Sequence, residues 1–166
     1  MLQIAGKQLL NDQLSMNSEQ LNILLADDDT DDCIFFKKAL DELTLPTNLV
    51  AVHDGEQLMH LLTNDTNPLP HILYLDLNMP RKNGFECLSE IKLSGKLNKL
   101  PVIVFSTSFE QGVVNMLYEN GAQYFIRKPP EFLQFKKIIQ QSLTLISQGD
   151  ISQPKRENFV LIGQNS

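Results

Sequence analysis

Three aspartates in this 166-residue chain stand where a metal ion and a phosphoryl group could bind together. Asp27 and Asp28 follow one apolar run, and Asp76 follows another. Clustered carboxylates repel one another at neutral pH, and a hard divalent cation is their usual neutralising partner. Mg²⁺ typically takes one or two carboxylates, several waters and a phosphate oxygen. The three aspartates therefore predict a magnesium site with room for phosphoryl chemistry.

Lys128 and Ser106 supply the other groups that such chemistry needs. A carboxylate can attack phosphorus and become an acyl phosphate if a metal and a fixed positive charge offset the charge of the transferring group. Lys128 can provide that fixed charge, and the Ser106 hydroxyl can hydrogen-bond a phosphoryl oxygen and draw its loop toward the site. We therefore expect Asp76 to be the acceptor.

Other polar residues have plainer explanations. Asp29 can cap the following helix, and Asp31 and Asp32 can favour its positive N-terminal end. Cys33 and Cys87 are far apart without a C-x-x-C pair, so we expect buried thiols rather than a disulfide or a zinc site. The histidines are expected to lie away from the site: His53, His60 and His71.

The elements that position these residues form a regular alternation. Strands that are apolar on both faces are typical of parallel sheets covered by helices. Five apolar runs alternate with five helical patterns, which predicts an α/β doubly wound sheet. In such sheets, ligands bind beyond the carboxyl ends of the strands, where the polar residues above would meet. The predicted strands are Ile23–Ala26, Leu49–Val52, Ile72–Leu75, Val102–Phe105 and Tyr124–Ile126.

Four motifs at these strand ends, in this order, resemble the receiver domain of bacterial two-component response regulators. The resemblance covers roughly residues 21–146 and implies a flavodoxin-like (βα)5 doubly wound parallel sheet with strand order 2-1-3-4-5. The motifs are Ile-Leu-Leu-Ala-Asp-Asp-Asp (23–29), Leu-Asp-Leu-Asn-Met-Pro (75–80) with Gly84, Pro-Val-Ile-Val-Phe-Ser-Thr (101–107) and Arg-Lys-Pro (127–129).

The resemblance assigns roles to the residues around the expected metal. Asp76 matches the phosphoacceptor, and Asp27 and Asp28 match the acidic pair of the family. Asn78 matches the position whose backbone carbonyl completes the protein ligands to Mg²⁺, while its side chain is expected to tune dephosphorylation.

A second group of residues matches the family's switch. Ser106 matches the switch hydroxyl, Lys128 the phosphate-binding lysine and Phe125 the aromatic position that turns inward in the family. That movement remodels the face formed by helix 4, strand 5 and helix 5. Pro129 follows Lys128 where the family usually has a cis peptide bond, so it is a candidate for one.

The expected function is signalling rather than metabolic catalysis. A histidine kinase or histidine phosphotransfer protein would donate the phosphoryl group, and a downstream protein target would bind the helix 4–strand 5–helix 5 face. The formal charge of -6 disfavours nucleic acid as a partner. No apolar run approaches the ~18–20 residues of a membrane span, so we expect a cytoplasmic protein without membrane insertion.

The chain divides into three parts on this interpretation. Residues 1–20 form a flexible N-terminal extension, residues 21–146 the receiver domain, and residues 147–166 a C-terminal tail without an output domain. The residues that follow Gln148 are too few for an ordinary helix-turn-helix domain. Because Met16 offers a second start, residues 1–15 could precede the functional protein.

Two alternatives stay open. A magnesium-dependent hydrolase of the haloacid-dehalogenase type would use Asp27 as nucleophile within Asp27-Asp28-Asp29, but it leaves Asp76 unexplained. An unphosphorylated scaffold would keep the fold and signal by binding alone. That scaffold requires Asp76→Asn to leave partner binding unchanged.

Overall fold

The computed structural model describes residues 20–149 and 152–162, so the expected extension lies almost wholly outside the described residues. Within that part of the chain, no helix has the length and apolar character needed to cross a bilayer. The strands are β1 (Leu21–Ala26), β2 (Thr47–Val52), β3 (Ile72–Leu75), β4 (Val102–Ser106), β5 (Tyr124–Arg127) and β6 (Val160–Leu161). The α-helices are α1 (Thr30–Asp41), α2 (Gly55–Thr63), α3 (Gly84–Leu93), α4 (Gln111–Glu119) and α5 (Phe132–Ser147).

All strand pairs in the sheet are parallel, in the order β2-β1-β3-β4-β5-β6. The predicted doubly wound sheet with order 2-1-3-4-5 is confirmed, and a sixth strand is added at the β5 edge. Every residue of β3 and β4 is buried, because helices cover both faces of the sheet. The strands that end at Leu75, directly before Asp76, and at Ser106 are therefore shielded from solvent along their whole length.

Two apolar clusters hold the helices on opposite faces of the sheet. Leu24, Leu73 and Val104 point toward α2, α3 and α4. Alternate residues such as Tyr74 point the other way, toward α1 and α5. Because neighbouring residues of a strand point to opposite faces, each apolar run serves both clusters.

Local interactions at the carboxyl edge of the sheet fix where the helices begin. The Asp29 carboxylate accepts hydrogen bonds from the backbone N–H groups of Asp31 and Asp32, so the predicted cap of α1 is confirmed. Asn83 and Glu86 form a capping box at the start of α3. Gly84 follows, and a Cβ atom there would lie 2.3 Å from the carbonyl oxygen of Asp76. Only glycine lets α3 begin this close to the end of β3.

The C-terminal part of the chain contributes to the folded unit. The sequence pattern predicts a tail over residues 147–166, but α5 continues to Ser147 and the described residues 152–162 return to the sheet as a short 3₁₀ turn (Arg156–Asn158) and β6. Phe159 is fully buried against the rest of the domain. A two-residue strand has no periodicity of its own, which is why the sequence pattern does not predict it.

Candidate functional site

The carboxylates of Asp27, Asp28 and Asp76 converge at the carboxyl edge of the sheet. Asp27 directly follows β1 and Asp76 directly follows β3, its neighbour in the sheet. One carboxylate oxygen from each of the three residues lies within 4.8 Å of the others. Asp27 and Asp76 are buried, while Asp28 is exposed. Three converging hard oxygens, one of them open to solvent, suit a divalent cation that keeps several waters.

Lys128 lies over this acidic cluster from the end of β5. Its Nζ atom is 2.7 Å from an Asp27 oxygen, 2.8 Å from an Asp32 oxygen and 3.7 Å from an Asp76 oxygen. Burial alone would lower the pKa of Lys128, but the hydrogen bonds it donates to Asp27 and Asp32 outweigh burial and raise that pKa. The lysine therefore stays charged at neutral pH.

The Asp76 carboxylate is in an environment that disfavours its charge. Burial raises the pKa of Asp76 to about 7, with Asp27 adding to the effect while Lys128 opposes it. The backbone N–H of Asn78 approaches an Asp76 oxygen at 3.4 Å. A divalent cation beside the carboxylates favours their ionised forms, and an ionised Asp76 is the nucleophilic form.

Two residues at the site make contacts that the sequence pattern does not predict. The pattern predicts only a helix-dipole role for Asp32, yet its carboxylate accepts a hydrogen bond from Lys128. His53 is expected away from the site, but its Nδ1 atom lies 3.1 Å from the carbonyl oxygen of Asp27. Both contacts join residues far apart in the chain, so no local spacing could have revealed them.

Ser106 is the last residue of β4, and Phe125 lies on the neighbouring strand β5. The Ser106 side chain is fully buried, and its Oγ accepts a hydrogen bond of 3.3 Å from the backbone N–H of Ser108. The Phe125 ring is also fully buried and packs edge to face against Phe109, with 6.0 Å between ring centroids. The resemblance implies a ring that turns inward, and in this structure the ring is already inside.

The cis peptide bond expected before Pro129 is not found. Cis peptide bonds are absent from the described residues, and the Lys128–Pro129 bond is among them. The trans form of an X–Pro bond is favoured by about 0.5–1 kcal/mol. Here Lys128 reaches Asp27 and Asp32 with the trans bond in place.

A doubly wound sheet with an acidic pocket and a lysine at its carboxyl edge defines a class of flavodoxin-like signalling domains. The chain belongs to the response regulator receiver domain family, whose model matches residues 23–140. Members of this family act in two-component signalling.

Individual relatives agree with this assignment. The response regulator Rcp1 of Synechocystis sp. is 31% identical over 122 residues, which are 71% of this chain and 83% of Rcp1. The crystal structure of the phosphorylated cyanobacterial phytochrome response regulator RcpA has a TM-score of 0.72 at 30% identity and covers 77% of this chain and 94% of RcpA. The Mn²⁺-bound form of Rcp1 has a TM-score of 0.70 at 28% identity, covering 80% of this chain and 98% of the other.

Proposed function

We propose that this chain is a phosphoacceptor response regulator that receives a phosphoryl group on Asp76 and uses Mg²⁺ to do so. The observation that carries the proposal is the position of the Asp76 carboxylate, within 4.8 Å of two further carboxylates and 3.7 Å from the charged Lys128. The donor is a phosphohistidine of a kinase or phosphotransfer protein. The N–P bond of the donor breaks, an O–P bond forms at Asp76, and the donor imidazole recovers a proton from solvent.

The residues around Asp76 divide the work of this transfer. Asp27, Asp28, Asp76 and the backbone carbonyl of Asn78 would hold Mg²⁺, which would neutralise charge on the transferring group. Lys128 would move from its contacts with Asp27 and Asp76 to a phosphoryl oxygen, keeping Asp32 as its second partner. The Ser106 hydroxyl would leave the Ser108 N–H and donate to another phosphoryl oxygen.

The output of the proposed switch is a protein contact. Movement of Ser106 would change the loop that carries Phe109, whose ring packs on Phe125 of β5. The face formed by α4, β5 and α5 would then bind its target with a different affinity. Relatives such as RcpA are phytochrome response regulators, so a photosensory histidine kinase is the first donor to test.

The experiment is intact-protein mass spectrometry after incubation with Mg²⁺ and acetyl phosphate. Wild type should gain one phosphoryl group, Asp76→Asn should gain none, and EDTA should suppress the gain in wild type. Asp41→Asn is the matched control, because Asp41 is an exposed acid paired with Lys37 on α1. This control should be phosphorylated like wild type.

Two results would contradict the proposal in different ways. A wild-type protein that stays unmodified with acetyl phosphate and with histidine kinases would favour the scaffold. An adduct that peptide mapping places on Asp27, and that persists in Asp76→Asn, would favour the hydrolase.

A further inference from the structure

The C-terminal segment, defined here as residues 152–162, lies along the outer edge of β5. Phe125 pairs with Val160 and Ile126 pairs with Leu161 in parallel register. The Phe125 N–H donates a hydrogen bond of 3.0 Å to the carbonyl oxygen of Phe159. The backbone of the expected switch residue is thus bonded directly to this segment.

An aromatic side chain anchors the segment between α4 and β5. Phe159 has 0% of its surface exposed, whereas Ile162, three residues later, is 74% exposed. The Phe159 ring packs edge to face on Tyr118 of α4, with 5.1 Å between centroids. It belongs to the same apolar cluster as Phe125 and Leu117. Phe159 therefore fills a pocket that is built from α4 and β5.

Polar contacts fix the chain upstream of this anchor. The Gln153 side-chain amide donates to the carbonyl oxygens of Tyr118 and Ala122, at 2.7 and 2.8 Å. The Tyr118 hydroxyl donates to the carbonyl oxygen of Pro154 at 2.8 Å, and the Arg156 guanidinium donates to the side-chain oxygen of Asn115. The Tyr118 carbonyl lies in the last turn of α4, and besides Gln153 it accepts a hydrogen bond from the backbone N–H of Gly121.

We infer that α4 and the edge of β5 form a groove for an extended segment with an aromatic anchor, which the C-terminal segment fills within the same chain. A downstream target binds there by presenting a similar segment and displacing the chain's own. This recognition mode is strand addition, in which backbone hydrogen bonds give affinity and a side-chain pocket gives specificity. The inference rests on the proposed use of the α4–β5–α5 face for signalling.

The way the segment is held makes it exchangeable. Its strand is only two residues long, two of its side chains, Phe159 and Leu161, are buried, and its polar contacts are a few exposed or part-buried hydrogen bonds. Tethering gives such a segment an effective concentration of order millimolar, so it excludes weaker competitors without being bound strongly. Truncation of Phe159 should therefore release the segment and open the groove, and it removes one buried ring from the cluster that contains Phe125 and Leu117.

The test measures binding of a fluorescein-labelled peptide of residues 152–162 to full-length protein by fluorescence anisotropy. Phe159→Ala should bind the peptide at least about tenfold more tightly than wild type, because its own segment no longer competes. Ile162→Ala is the matched control, since Ile162 is an exposed apolar residue of the same segment, and it should bind like wild type. A peptide carrying alanine at the Phe159 position should not bind any of the proteins.

Three results would overturn the inference. The first is equal affinity of the peptide for wild type and Phe159→Ala, and the second is no binding of the peptide to a folded Phe159→Ala protein. The third is a wild-type protein that is a dimer while Phe159→Ala is a monomer, which would assign the groove to a second copy of the chain. If circular dichroism shows that Phe159→Ala is unfolded, Gln153→Ala replaces it, because this change removes only two hydrogen bonds, one exposed and one part-buried, and no buried side chain. Gln153→Ala must then bind the peptide more tightly than wild type. None of these measurements requires phosphorylation, so their failure is distinct from failure of the acceptor proposal.

Discussion

At the scale of single residues, the site is organised around the Lys128 ammonium group, which faces three carboxylates. Lys128 has three N–H donors, and oxygens of Asp27, Asp32 and Asp76 lie around it at 2.7–3.7 Å. Asp27 and Asp76 are also the residues expected to change partners when metal and phosphate bind. Asp32 is not expected to change partners when metal and phosphate bind. Its carboxylate can therefore keep its contact with Lys128 before and after phosphorylation.

Replacing Asp32 should therefore weaken the fold more than replacing its neighbour. Asp31 and Asp32 are both in the first turn of α1, so both can interact with the helix dipole, but only Asp32 contacts Lys128. A hydrogen bond to a charged group contributes about 1.5–3 kcal/mol, and the partial exposure of Asp32 reduces this to about 1 kcal/mol. Urea denaturation should show that Asp32→Ala loses about 1 kcal/mol more than Asp31→Ala. Equal losses would assign Asp32 to the dipole alone.

A buried thiol on α3 gives a prediction about pH. Burial raises the pKa of Cys87 to about 11 from its ordinary value near 9. Because the folded state holds this proton more tightly, ionisation favours the unfolded state, and stability present below pH 9 is lost as pH rises toward 11. Between pH 8 and pH 10, wild type should lose about 1 kcal/mol more free energy of unfolding than Cys87→Ala. Parallel losses would contradict the raised pKa.

Sequence alone predicts the residue types at the site but not every contact. The sequence predicts the roles of Asp27, Asp28 and Asp76 because each follows a strand whose apolar residues indicate that it is buried. Asp32 and His53 carried no such signal. The sequence does not distinguish an acid in the first turn of a helix that faces solvent from one that contacts a lysine 96 positions away in the chain.

At the scale of elements, all five predicted strands are present in the sheet. A strand that is apolar on both faces must be buried on both faces, and parallel strands covered by helices meet that requirement. The sixth strand could not be predicted in this way. Val160 and Leu161 pair with β5 only because Phe159 has a pocket between α4 and β5, and that pocket exists only in the folded domain. Tertiary packing decides the structure of so short a segment.

One polar contact joins β3 to α5 within an otherwise apolar layer. The Tyr74 hydroxyl lies 2.6 Å from Ser142 Oγ, which in turn donates to the Ile139 carbonyl at 2.8 Å. Tyr74 is therefore the donor to Ser142, and its own pKa is raised by burial.

Removing either partner should have unequal costs. Tyr74→Phe removes one hydrogen bond and leaves Ser142 bonded to Ile139, so it should cost about 1 kcal/mol. Ser142→Ala leaves the fully buried Tyr74 hydroxyl without its acceptor and should cost about 1–3 kcal/mol. Urea denaturation of both variants and of the double variant checks this order. A Ser142→Ala protein as stable as wild type would contradict the assigned donor.

At the scale of the whole molecule, stability and function compete at one edge of the sheet. The two apolar clusters account for most buried side chains, whereas the carboxyl edge gathers like charges that repel one another. The fold tolerates this repulsion because the Lys128 ammonium lies among the carboxylates and because Asp27 and Asp76 follow neighbouring strands of one sheet. A cation that relieves the repulsion must therefore stabilise the whole domain, since the unfolded chain cannot bring these residues together.

Metal binding should accordingly raise the melting temperature. A ligand that binds only the folded state at ten times its Kd adds about 1.4 kcal/mol, which corresponds to about 3–6 °C for a domain of this size. Calorimetry with and without Mg²⁺ should show this rise at pH 7.5, and EDTA should abolish it. Asp28→Asn should reduce the rise in melting temperature, because it removes the charge of the solvent-exposed member of the carboxylate cluster. Asp41→Asn, on the exposed face of α1, should leave the rise unchanged. A rise of the same size in Asp28→Asn would mean that the ion binds elsewhere on this acidic protein. Stabilisation by the metal would then say nothing about the proposed phosphoryl transfer to Asp76.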